Sequence, residues 1–335
     1  MDCSSWEPLL VQVNLFLPLF PPSSLSFSWS TLPPKFSLVV GPIFGGLLGA
    51  VDFGEGGLES WRLIFFVISG LSALIFTISI PGLKETMVRD YSVPVPCVNP
   101  FSPLLYLKYF RVCALLLAFS IGFAGLFVVN ITFPNVLGEA YGKPPVIVGL
   151  CYLPLGGGLI IGAMIGGRSA DRMRKKGGTA EHRLVPSLLF FPLNGAVILG
   201  QGWVYQYAES LDLSVALIMS FFIGLTFILP RPGVNTYVIE KLRQLENKDL
   251  ASSATGLIFG IMFPTSAVIA QLSVSGSEAI GIGYFLTIVG GSLILASIPV
   301  IIFVVRDIKK SKQEAHGASF KGTSSGNTVT YGSVN

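Results

Sequence analysis

The residues of this chain that could do chemistry are polar side chains set inside long apolar runs. Asn130 and Thr132 form one pair, and Arg231, Asn235, Thr236 and Tyr237 form a second group around Pro230 and Pro232. Tyr152, with Pro154, marks a third run. A polar group in hydrocarbon is costly, so such residues face a bundle interior or an aqueous path, where they can recognise a small molecule. Asn130, Thr132 and Asn235 offer hydrogen bonds, Arg231 a permanent cation, and Tyr152 and Tyr237 a ring with a hydroxyl. Arg231 has two readings. It pairs with Glu240 or snorkels to the surface, or it binds substrate. Tyr152 and Pro154 serve either as an aromatic wall or as interior packing. Asn130-Ile131-Thr132 also matches a glycosylation acceptor, but its place inside an apolar run argues against that use. No acidic residue stands in the middle of a run, so these segments name no proton carrier.

None of these patterns supports catalysis. The two histidines, His182 and His316, sit in polar segments, which leaves no imidazole in an apolar run for metal or nucleophile chemistry. Cys3, Cys97, Cys113 and Cys151 show no C-x-x-C spacing and read as apolar filler. An intramembrane hydrolase would need a Ser/His pair or H-E-x-x-H in a run. Gly156-Gly157-Gly158 has no following G-K-S/T, so it is not a phosphate loop. We therefore expect no enzyme, no cofactor, no metal and no nucleic-acid partner. The implied partners are a lipid bilayer and a small-molecule substrate, and the sequence leaves the oligomeric state open.

The elements that must position these residues are membrane-spanning helices. Of 335 residues 51% are hydrophobic and 12% charged, with mean hydropathy +0.70, whereas soluble domains carry about 25% charged residues. The surplus must face lipid. Crossing a core of about 30 Å takes about 20 residues, and eight apolar stretches come near that length. They run over Ser37 to Val51, Trp61 to Ile80, Val112 to Phe133, Pro145 to Gly167, Leu184 to Tyr205, Leu213 to Val238, Ser252 to Val274 and Gly281 to Val305. The predicted class is an all-α membrane bundle of about eight helices. The start of the chain has no basic residue before its short apolar stretch, which excludes a signal peptide reading.

Lysine and arginine set the orientation, because cytoplasmic loops carry their excess. Arg168, Arg172, Arg174, Lys175, Lys176 and Arg183 cluster after the fourth stretch, and Arg306, Lys309, Lys310 and Lys312 after the last, so both places are expected in the cytosol. Prolines 94, 96, 100 and 103 make residues 84–111 read as a cytoplasmic linker between bundles. Residues 37–83 form a two-span unit before it and residues 112–306 a six-helix bundle after it. The Ser, Gly and Lys content of residues 307–335 predicts a disordered cytosolic tail.

Two clusters remain. Gly41-Pro42-Ile43-Phe44-Gly45-Gly46, extended by Gly49, places Gly41, Gly45 and Gly49 on one helix face. Such a face lets helices approach closely in lipid, and Pro42 bends it by removing a donor. It reads as packing, or as a hinge between rocking helices. The second cluster, Gly166 to Lys176, embeds Asp171 and Arg172 in a basic loop beyond Gly158, Gly162 and Gly166. Asp171 is placed to pair with a basic residue or a helix end, a contact that could open and close during transport.

In this order and separation the two clusters resemble the major facilitator superfamily. The first resembles the antiporter motif G-P-x-x-G-G of its fifth helix, and Gly167, Asp171 and Arg172 match the G-x-x-x-D-R loop between its eighth and ninth helices. Trp61-Arg62, Lys84-Glu85-Thr86 and Gly149-Leu150-Cys151-Tyr152-Leu153-Pro154 resemble fungal twelve-spanning drug:proton antiporters of the quinidine-resistance and dityrosine-transporter type. The likeness covers roughly residues 38–306, equivalent to helices five to twelve. It implies proton-coupled export of small drug-like, cationic or amphiphilic molecules, with protons as a further partner and the plasma membrane as location. The family's glycines four and eight positions before the G-P pair are replaced by Ser37 and Pro33. Residues 1–36 are thus expected to be non-homologous or disordered, and helices one to four to be missing. On that expectation an alternative is a truncated, non-transporting chain lacking half the cavity.

Overall fold

The computed structural model describes the backbone of residues 41–48, 60–82, 102–177, 180–246 and 251–325. Residues 41–48 are helical (α1), followed by α2 (Ser60–Gly82), α3 (Phe110–Glu139), α4 (Pro145–Leu150) and α5 (Leu153–Gly177). The chain continues with α6 (Val185–Gln206), α7 (Leu213–Ile228), α8 (Arg231–Glu246), α9 (Ala251–Ile280) and α10 (Ile282–Ser325). Among the described residues, seven helical stretches are long and apolar enough to cross a membrane. The eighth expected stretch is described only over residues 41–48, and Gly49, Lys84, Cys3, Cys97 and most of the 84–111 linker lie outside the described residues. Together they form an all-helical bundle of the expected class.

Several boundaries differ from expectation for physical reasons. The basic cluster 168–177, expected as a loop, is the last part of α5. Arg, Lys, Met and Ala are good helix formers, and Arg174, Lys175 and Lys176 complement the negative end of the helix dipole. The stretch beginning at Pro145 breaks at Cys151 and Tyr152 before α5 starts. The stretch from Leu213 splits into α7 and α8 at Leu229 and Pro230, where Pro230 and Pro232 remove two backbone donors. Downstream of the last span, the backbone runs on as helix to Ser325. That differs from the disorder expected from residue 307, and residues beyond 325 lie outside the described ones.

α3 is the central helix of the C-terminal bundle, with Val112, Leu115, Phe119, Val128 and Leu137 at most 1% exposed. α9 and α10 pack against it, α6 pairs with α10, and α5 pairs with α7. By contrast, no residue of 62–80 on α2 is buried. Glycines at intervals of four make the α5 and α7 pairing possible. A Cβ on Gly158 or Gly166 would strike the carbonyl of Phe221 or Leu229, and one on Gly162 would lie 2.7 Å from the carbonyl oxygen of Leu225. Gly195 and Gly290 do the same for α6 and α10, where a Cβ on Gly195 would lie 2.7 Å from the Gly290 oxygen. In lipid such backbone approach replaces water exclusion as the source of association.

Candidate substrate path

Three places along the bundle hold the residues expected to matter. At the end away from the basic cluster, α1 crosses α4. A Cβ on Gly46 would lie 2.5 Å from the Pro145 carbonyl oxygen, and one on Gly149 would lie 2.7 Å from that of Pro42. Pro42 and Gly46 are four residues apart and so share one helix face. The expected seam of Gly41, Gly45 and Gly49 is therefore not the one used over the described residues: Gly41 and Gly45 face open space, and Gly49 is not described. Beside the crossing lies a cavity of about 480 Å³ bounded by Pro42, Gly46, Pro134, Gly138, Lys143 and Tyr152.

Tyr152 is buried, with a relative exposure of 8%. Its ring stands edge-on to Phe133, centroids 4.9 Å apart, and its hydroxyl donates to the carbonyl of Asn130 at 2.8 Å. That carbonyl is free because Pro134, four residues on, has no N–H to offer it. Tyr152 thus repairs the proline gap in α3 while also bordering the cavity. Asn130 and Thr132 are both half-buried.

Arg231, Asn235 and Thr236 are half-buried on the first turns of α8, where Gly233 packs on the backbone of Arg183 before α6. The Thr236 hydroxyl is turned back onto its own helix, donating to the Pro232 carbonyl at 2.7 Å. Asn235 Oδ1 has no hydrogen-bond partner among the described residues. Tyr237, expected on the path, is fully buried at 0% exposure and packs into the core. Arg231 does not pair with Glu240. Nine residues separate them, placing them about 180° apart around the helix. Instead its guanidinium lies over the ring of Phe259, 5.8 Å from the centroid.

Sequence reading missed the aromatic side chains there. Phe259 stacks on Phe263 at 5.7 Å, Phe263 meets Phe123 edge-on at 5.6 Å, and Phe123 contacts Phe127 at 4.8 Å and Phe227 at 5.7 Å. The signal was present: Phe119, Phe123 and Phe127 recur every four residues, as do Phe259 and Phe263. Also missed was the buried bond from Asn194 to the Thr226 hydroxyl, 2.9 Å, which joins α6 to α7.

At the basic end Glu240 accepts from Arg174 at 2.8 Å and lies 4.0 Å from Arg183, while Lys241 donates to Glu181 at 3.0 Å. These pairs tie the end of α5 and the turn before α6 to α8. Arg111 at the start of α3 is paired with Asp307 on α10 at 2.6 Å. Asp171 is half-buried without an ion pair among the described residues, Arg172 is exposed, and Gly167 faces open space. The basic cluster thus brings Arg174, and not Asp171, into a charge contact.

Residues 23–270 match the Major Facilitator Superfamily, a match that begins inside the segment 1–36 expected to be non-homologous or disordered. Among curated fungal relatives, "Efflux pump radE" of Floropilus chiversii is 26% identical over 315 residues, covering 83% of this chain and 54% of the relative. "MFS transporter fsa7" of Fusarium sp. (strain FN080326) is 28% identical, covering 62% of this chain and 39% of the relative. "MFS transporter eqxG" of Fusarium heterosporum is 31% identical over 144 residues, covering 42% and 28%. The chain thus spans about half the length, or less, of the relatives it matches. With its helices apolar enough to cross a membrane several times and a family match over most of its length, this is a multi-pass integral membrane protein of the Major Facilitator Superfamily.

Proposed function

We propose that the chain acts in secondary active export of small drug-like or amphiphilic organic molecules, coupled to protons, in the fungal drug:proton antiporter manner. The observation that carries this reading is half-buried Arg231, set over the ring of Phe259, with half-buried Asn235 one turn on, within a membrane-spanning stretch. Polar groups at that depth are functional by default, because lipid gives them nothing in return for their hydration. The description of one relative as an efflux pump agrees with outward transport.

In this mechanism the six-helix bundle moves as a body against the remainder of the transporter, exposing a midplane site to each side in turn. The α1 and α4 crossing at Gly46 and Gly149 is one sliding contact, since two bare backbones can shift without unlocking side chains. The Arg174 to Glu240 contact holds α5 and α8 together during that motion. Orientation by basic residues puts this end and the C-terminus in the cytosol, and the plasma membrane is the proposed location. Replacing Asp171 by Asn is expected to slow or block transport, and unchanged flux would remove its gating role.

The test is reconstitution of the full chain in vesicles loaded with a fluorescent aromatic probe, run in parallel with an anthracene carboxylate and its neutral methanol analogue. Efflux is expected to accelerate when an inward proton gradient is applied and to collapse when nigericin dissipates it. Efflux no faster than from protein-free vesicles would overturn the transport reading, and drug movement insensitive to the gradient would overturn the coupling.

A further inference from the structure

Resting on the transport reading above, we infer that the face formed by α3, α8 and α9 is the binding half-site for a flat, conjugated organic anion, with Arg231 as its charge anchor. Arg231 stands nine residues before Glu240, about 13 Å from it along the helix axis. Its guanidinium carries five N–H donors, yet among the described residues its contact is the face of Phe259 and no carboxylate forms an ion pair with it. Glu240 is taken by Arg174 and Arg183, Glu181 by Lys241, and Asp307 by Arg111. A cation inside a span without a counter-ion carries an uncompensated desolvation cost. A ligand that brings the negative charge removes that cost, and a carboxylate matches the guanidinium fork with two parallel hydrogen bonds.

The body of the ligand is set by the rings. From Arg231 the contacts run through Phe259 to Phe263, then to Phe123 and Phe127. Phe263 is 50% exposed and Phe127 38% exposed, so this line of rings is open along one side. Phe127 shares its helix face with Pro134 and Gly138, seven and eleven residues further along α3. Those two residues border the cavity that α1 closes. The open side of the rings therefore shares the face of α3 whose far end borders the cavity beside α1. Aromatic faces accept conjugated planes by offset stacking. Asn130 and Asn235, both half-buried, supply neutral hydrogen bonds near the two ends of the stripe. A cationic amphiphile is disfavoured here, since Arg231 would repel it and, among the described residues, no carboxylate stands mid-span to attract it.

The purified full chain in nanodiscs would be titrated with three anthracene probes of matched shape, the carboxylate, the neutral methanol and the aminomethyl cation, following probe anisotropy. The carboxylate should bind roughly tenfold to a hundredfold tighter than the amine, as a charge-assisted contact implies. Arg231→Gln should erase that preference, bringing the three probes to similar affinities, and Arg231→Lys should keep most of it. Phe263→Ala, at an exposed position the fold can spare, should weaken all three probes alike. An amine that binds as well as the carboxylate, a preference that survives Arg231→Gln, or no binding by any probe would overturn the half-site. The binding assay needs no turnover, so these failures leave the gradient-driven efflux experiment as a separate test of transport.

Discussion

The α5 and α7 interface and the α3, α8 and α9 face cross the same membrane in the same bundle, yet they are built from opposite materials. The first is closed by Gly158, Gly162, Gly166 and Gly224, each meeting the backbone of its partner helix. The second presents half-buried Arg231 over half-buried Phe259, with the exposed rings of Phe263 and Phe127 beside them. A sealed seam in lipid gains from small residues because close backbone approach maximises dispersion contacts. A face that binds a passing molecule gains from side chains that offer area and charge to something absent from the seam.

The sharpest way to break this contrast is to fill the seam. Gly162→Leu would drive a branched side chain into the Leu225 backbone and should destabilise the bundle by about 3 kcal/mol or more, read as a fall in the thermal midpoint of the detergent-solubilised protein. Its partner control is Gly41→Ala, where nothing lies within 4 Å of the new Cβ. That change should move stability by no more than about 0.5 kcal/mol. Equal effects at both positions would dissolve the distinction between sealed and open glycines.

Intermediate effects probe the contacts that frame the open face. Tyr152→Phe keeps the ring against Phe133 but leaves the Asn130 carbonyl without its donor. It should cost about 1 kcal/mol and increase hydrogen exchange of the α3 segment around Pro134. Glu240→Gln releases Arg174 and Arg183 at a site where both partners are partly solvated. Its cost should be about 1 kcal/mol or less and shrink further in high salt, measured by thermal unfolding across a salt series.

The spans were legible because lipid imposes their length and composition on every residue in them. Trp61 to Ile80 was expected and α2 spans Ser60–Gly82; the stretch from Leu213 to Val238, expected as one, breaks at Leu229 and Pro230. Ends were harder. α3 continues past Pro134 to Glu139 because Tyr152 satisfies the carbonyl the proline abandons, and α5 absorbs the basic cluster because its residues favour helix. The candidate site was only half readable. Arg231 stood out as a charge in an apolar run, but its partner could not be read. Glu240 lies on the opposite side of α8 and is claimed by Arg174, 66 residues away in sequence. The aromatic stripe joins rings on three helices, and only its repeats within α3 and α9 were visible in one dimension.

The most direct measurement compares two cysteine variants of the full chain in sealed membranes, Phe263→Cys on the open face and Leu295→Cys on α10, both at exposed positions, in a background lacking the native cysteines. If the α3, α8 and α9 face lines an aqueous path and α10 turns position 295 to lipid, a water-soluble maleimide will label position 263 and spare position 295. Labelling of neither, or of both alike, would contradict the assignment of that face to the substrate.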